Sequence, residues 1–139
     1  MRSFRIANGL EARLRVDPRY CAFPGIVNGG VLSTIMDCHG NWTAAIALMD
    51  RSCLPKPPLT LTASMFVQFK EPTPPKEELI VRSQVVSVKE SNQPGMGKVT
   101  VEVDVSVFLP AGPGPGQQQE RLLVTGTGIF KKLGALRAM

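Results

Sequence analysis

One stretch limits what this chain can fold into. Pro24 and Gly25 break the backbone, and Gly29 and Gly30 leave it bare. From Val31 to about Met49 apolar residues then recur with the 3.6-residue spacing of a helix. This is the one long helical pattern in 139 residues. A helix so apolar on several sides needs a cover, and the rest of the chain must supply it.

The remaining segments alternate with a period of two, which is the mark of a half-buried strand. Leu10, Ala12, Leu14 and Val16 alternate with Glu11, Arg13 and Arg15 ahead of the helix. After Leu54-Pro55-Lys56-Pro57-Pro58, Leu59, Leu61, Ala63, Met65, Val67 and Phe69 alternate with Thr60, Thr62, Ser64, Phe66, Gln68 and Lys70. Strands follow over about 79–89, over 99–109 with valine at every second position from Val99 to Val107, and over about 120–131. The segments between them are turns: Pro72-Thr73-Pro74-Pro75, a loop at 91–97, and a Gly/Pro/Gln loop at 111–119, expected to be exposed. The tail from Leu133 is expected to be at most a turn. The order is strand, long helix, then four strands in a meander. One helix is available to cover an antiparallel sheet, so the expected class is α+β, a single domain over 1–139 with the sheet wrapped around a central helix.

The helix carries one acid. Asp37 is the only carboxylate between Asp17 and Asp50. On a helical wheel it shares a small polar face with Gly30, Ser33, Thr34, Gly40, Asn41 and Ala44. Such a face leaves room for a ligand or for a neighbouring backbone, and the pattern alone does not choose. The bare Gly29-Gly30 start has unpaired N–H groups and the positive end of the helix dipole, which suit a carbonyl oxygen or an anion. Asp37 lies beyond the first turn, so capping does not account for it. Its structural alternative is an ion pair with an arginine such as Arg13 or Arg82.

Composition removes several classes. Net charge is +5, but the basic residues are scattered and aromatic residues make up 6%, so a nucleic-acid partner is not expected. No apolar run is long enough for a membrane span, and the basic start lacks the apolar core of a secretion signal. Cys21, Cys38 and Cys53 are odd in number and have no CxxC spacing. They are expected to be reduced, in a cytoplasmic setting. With one histidine, His39, no metal site is expected. Neighbours on a helix point about 100° apart, so Cys38 and His39 cannot form a nucleophile–base pair. Gly112 to Gly116 has prolines where a dinucleotide loop needs free N–H groups, and Gly-x-Ser-x-Gly does not occur.

The Pro24-Gly25-Ile26-Val27-Asn28-Gly29-Gly30 stretch, with Asp37 nine residues after Asn28, resembles the hotdog-fold thioesterases of the PaaI-like acyl-CoA thioesterase type. The resemblance runs from about Leu10 to Lys131. It includes Phe69-Lys70-Glu71-Pro72, similar to the family's aromatic-x-x-Pro strand end, and Gly97-Lys98, similar to its Gly-Arg at the start of the fourth strand. Asn28 stands where the family usually has histidine; it can donate a hydrogen bond but cannot act as a base. The resemblance implies hydrolysis of an acyl-CoA with no cofactor beyond the CoA of the substrate. Asp37 would be general base or nucleophile, and Gly29 and Gly30 would present N–H groups to the thioester oxygen. Asn28 would orient carbonyl or water, and Thr62 would position water or carboxylate, with Ser64 beside it. Lys98 and Lys89 would meet CoA phosphates, and Trp42 is a candidate to line the acyl pocket. Related proteins are homodimers or dimers of dimers in which the carboxylate of one subunit faces the Gly-Gly segment of the other. The alternatives are a non-catalytic acyl-CoA-binding protein of the same fold, or a hydratase or dehydratase, for which the expected histidine motifs are missing.

Overall fold

The computed structural model describes residues 1–90, 99–114 and 119–133. Two strands precede the helix in a hairpin, β1 (Ser3–Ile6) and β2 (Gly9–Leu14), joined by a tight turn in which Asn8 adopts φ 61°. A 3₁₀ turn (Pro18–Tyr20) leads to the short pair β3 (Cys21–Phe23) and β4 (Ile26–Val27). Helix α1 (Gly29–Arg51) follows, then β5 (Thr60–Phe69), β6 (Leu79–Glu90), β7 (Val99–Leu109) and β8 (Arg121–Lys132). Strand β1 and the β3–β4 pair fall in segments that the sequence pattern left as coil.

The main sheet is antiparallel, six-stranded, in the order β1-β2-β6-β7-β8-β5. The expected four-strand meander is therefore corrected: β6, β7 and β8 follow one another, but β5 pairs with β8 at the far edge. The Pro-rich stretch from Lys70 to Glu78 cannot make a tight hairpin, and it crosses the end of the sheet instead. Its backbone is tied down on the way. Lys70 and Glu71 N–H donate to the Leu123 carbonyl, the Thr73 carbonyl accepts from Val27, and Lys76 N–H donates to Val16.

The alternating valines of β7 do what their pattern implies. Val101, Val103, Val105 and Val107 are fully buried under α1, with Phe130, Val124, Leu79 and Val81 beside them. The helix contributes Leu32, Met36, Ala44 and Leu48, which with Gly40 recur about once per turn along a single stripe. The opposite side, with Thr34, Cys38 and Trp42, is open. So the sheet covers one face of α1 and does not enclose it. Gly40 belongs to the covered face: a Cβ there would lie 2.8 Å from Cζ of Phe130. Its smallness admits that ring, and it does not make room beside Asp37.

Candidate active site

The helix start is fixed from several directions. Pro24 and Gly25 turn the chain between β3 and β4, and Gly25 adopts φ 84°, which a type II turn requires at that position. Val27 N–H donates to Thr73 and Asn28 N–H to Tyr20. Asn28 is the N-cap, and its Oδ1 accepts from Gly30 N–H at 2.7 Å. This corrects the expectation for Gly30 and narrows that for Asn28. The Gly30 N–H is already occupied, so it is not a free oxyanion donor. The Asn28 oxygen is committed to the cap, which leaves only its Nδ2 to address a ligand. Gly29 N–H has no partner among the described residues. The ring of Phe69 lies over Gly29, where an added Cβ would be 3.0 Å from its Cζ.

Asp37 and Thr62 meet. Thr62 Oγ1 donates to Asp37 Oδ1 at 2.5 Å across the α1–β5 seam. One turn further along, Thr60 Oγ1 donates to Asn41 Oδ1, a pairing the sequence pattern did not suggest. Both contacts depend on an irregularity in β5. Thr62 stands opposite Phe130 but Ser64 opposite Ile129, so Ala63 is an extra residue. Thr60 and Thr62 therefore face the helix on one side of the bulge, and Met65 and Val67 on the other. The unbroken alternation expected from Leu59 to Phe69 is corrected. So is the grouping of Ser64 with Thr62, because directly opposed residues share a face and Ile129 does not share that of Phe130.

Asp37 makes no ion pair among the described residues. Arg13 pairs with Glu78, and Arg82 with Glu11 and Glu120. Lys89 is opposite Thr100, which alternates with the buried valines of β7, so it lies on the sheet face away from α1. Within one protomer it does not approach Asp37. Lys98 lies outside the described residues. Trp42 is 56% exposed on the open side of α1. Met36 is in the core, Met65 packs against it, and Phe66 is exposed.

His39 is buried with both ring nitrogens unpartnered among the described residues, and burial pushes its pKa down to about 4. It is a neutral core residue. The three cysteines are unpaired, and the described residues assemble no metal-ligand cluster. No described helix is long and apolar enough to cross a membrane.

No protein-family model and no curated protein matches the chain by sequence. Solved structures do match by shape. A thioesterase superfamily protein from Shewanella loihica superposes with a TM-score of 0.67 at 22% identity, over 96% of this chain and 90% of that one. This chain has the hotdog fold. A second match is an acyl-CoA hydrolase from Staphylococcus aureus, solved in complex with butyryl coenzyme A, coenzyme A and coenzyme A disulfide. It matches with a TM-score of 0.65 at 20% identity, over 90% of this chain and 65% of that one. The same enzyme has been solved with alanine in place of an aspartate, of a threonine and of an asparagine. A hexameric broad-specificity acyl-coenzyme A thioesterase, solved with an aspartate replaced by alanine, matches at 14% identity with a TM-score of 0.64, over 89% of this chain and 79% of that one.

Proposed function

We propose that this hotdog protein is an acyl-CoA thioesterase, hydrolysing a CoA thioester to the free acid and CoA. The observation that carries the reading is the Asp37–Thr62 contact: a helix carboxylate that makes no ion pair among the described residues and is held by one hydroxyl. Asp37 takes a proton from water, and the resulting hydroxide attacks the thioester carbon. The carbonyl oxygen becomes an oxyanion, received by Gly29 N–H and by Nδ2 of Asn28. The oxyanion then collapses, the C–S bond breaks, and the sulfur takes the proton held by Asp37 and leaves as CoA, which restores the carboxylate. Thr62 fixes the orientation of the carboxylate throughout. The residue types replaced in the neighbouring hydrolase, aspartate, threonine and asparagine, are also those proposed here as Asp37, Thr62 and Asn28, of which one protomer brings Asp37 and Thr62 into contact. No cofactor is required, and a reducing cytoplasm suits the unpaired cysteines.

The same reading requires two copies of the chain. Gly29 and Asp37 are eight residues apart on one helix, so they are separated by about 12 Å along its axis. One carbonyl cannot touch both. Strand β5 is an open edge, and Leu61, Phe66 and Phe69 on it are more than half exposed. Antiparallel pairing of two β5 edges runs the Phe69 end of one strand along the Thr60 end of the other. The ring of Phe69 rests on Gly29, so the partner's Gly29 comes with it, toward Asp37. The test is coexpression of two inactive variants, Asp37→Asn and Gly29→Leu, the second filling the space over the helix start. A mixed dimer keeps one site with both wild-type parts, so the mixture should regain about a quarter of wild-type thiol release. No recovery from folded, mixed dimers would contradict the shared site, and no thiol release by the wild type from any CoA ester would contradict the activity.

A further inference from the structure

A cavity of about 220 Å³ opens on the α1–β5 seam, one helical turn beyond the carboxylate. It is lined by Cys38, Trp42, Ala45, Pro58 and Leu59, together with the polar pair Asn41 and Thr60. Asn41 is four residues past Asp37 on the helix, about 6 Å along the axis, and Thr60 is two residues before Thr62 on the strand. A carbonyl held at Asp37 therefore has its acyl substituent within a few bonds of this cavity. The chemistry of the walls selects. No charged side chain lines the cavity, and Thr60 Oγ1 donates to Asn41 Oδ1, so these groups partly satisfy each other. A carboxylate-bearing acyl group would lose its water here with nothing to replace it.

A second cavity, of about 820 Å³, lies on the β2 side of the helix, against Leu10, Leu14, Ile35 and Ile46. Cys38 and Trp42 border both spaces, so they form the wall between the small cavity and the large one.

Resting on the thioesterase reading, we propose that the small cavity is the acyl subsite, that it takes a short, uncharged apolar acyl group, and that Trp42 sets the chain-length limit. Trp42 is the only tryptophan in the chain, so it also reports occupancy. The wild type is titrated with CoA and with S-alkyl-CoA thioethers of increasing chain length, which cannot be hydrolysed. Calorimetry gives Kd, and the emission of Trp42 gives contact. S-butyl-CoA should shift the emission to the blue, and CoA alone should not. Each added methylene should tighten binding about two- to fourfold up to a limit and not beyond it. Trp42→Ala, which removes the wall, should move that limit to longer chains. Binding of S-butyl-CoA without any change in emission would overturn the assignment. So would no binding of the thioethers, or a Trp42→Ala variant weakened by the same factor at every length. Failure of the thioesterase reading looks different: the emission shifts as stated, yet butyryl-CoA releases no thiol.

Discussion

Two side chains on α1 illustrate how differently a buried or half-buried polar group can be treated. Asp37 is half-buried, has no cation partner among the described residues, and accepts one hydroxyl hydrogen bond from Thr62. A hydrogen bond to a charged group contributes roughly 1.5–3 kcal/mol, and here it holds a rotamer. Thr62→Val keeps the shape and removes the donor. It should lower kcat by about tenfold or more, with Thr62→Ser restoring most of it; a valine variant of full activity would remove Thr62 from the site. His39 has no partner at all among the described residues, and its low pKa is a statement about stability. The unfolded chain protonates near pH 6.5 and the folded chain near pH 4. Between these values the unfolded state binds more protons, so the fold loses stability as pH falls through that window, by at most roughly 3 kcal/mol. Unfolding measured from pH 7 to pH 4 should follow this slope in the wild type and lose its His39 component in His39→Leu. An identical slope in both would contradict the buried neutral imidazole.

At the scale of elements, α1 and β5 differ in how much their sequences disclose. The helix was legible because its stripe of Leu32, Met36, Ala44 and Leu48 repeats at one turn, and Asp37 stands out from it. Gly40 was legible only as a small residue. What occupies the space is the ring of Phe130, ninety residues away. Gly40→Ala tests that contact. Alanine favours a helix over glycine by about 1 kcal/mol, whereas overpacking at 2.8 Å from Phe130 costs about 1–3 kcal/mol. The net cost is about 0–2 kcal/mol, so the melting temperature should stay level or fall by up to roughly 8 °C, and a rise would mean that the ring yields freely. The bulge at Ala63 was not legible. Strand β5 is an edge with apolar residues on both faces, so an inserted residue leaves no break in the apolar pattern. That single residue decides that Thr62 faces Asp37 and Ser64 does not.

At the scale of the molecule, the class followed from the sequence and the strand order did not. Local alternation says that Leu59–Phe69 is a strand but not which neighbour it takes. The crossing of Lys70–Glu78 depends on backbone bonds to Val16, Val27 and Leu123, which no local pattern encodes. The result matters for function, because it leaves β5 at an edge of the sheet, where the proposed shared site would form. The account rests on the Asp37 carboxylate as the group that activates water in that site. Asp37→Asn preserves the shape and can keep the Thr62 contact, but it is neither base nor nucleophile. Turnover of CoA thioesters and thermal unfolding should be measured on one preparation of this variant: kcat should fall by roughly 10²–10⁴ with the melting temperature nearly unchanged. Normal turnover by the folded Asp37→Asn protein would contradict the account.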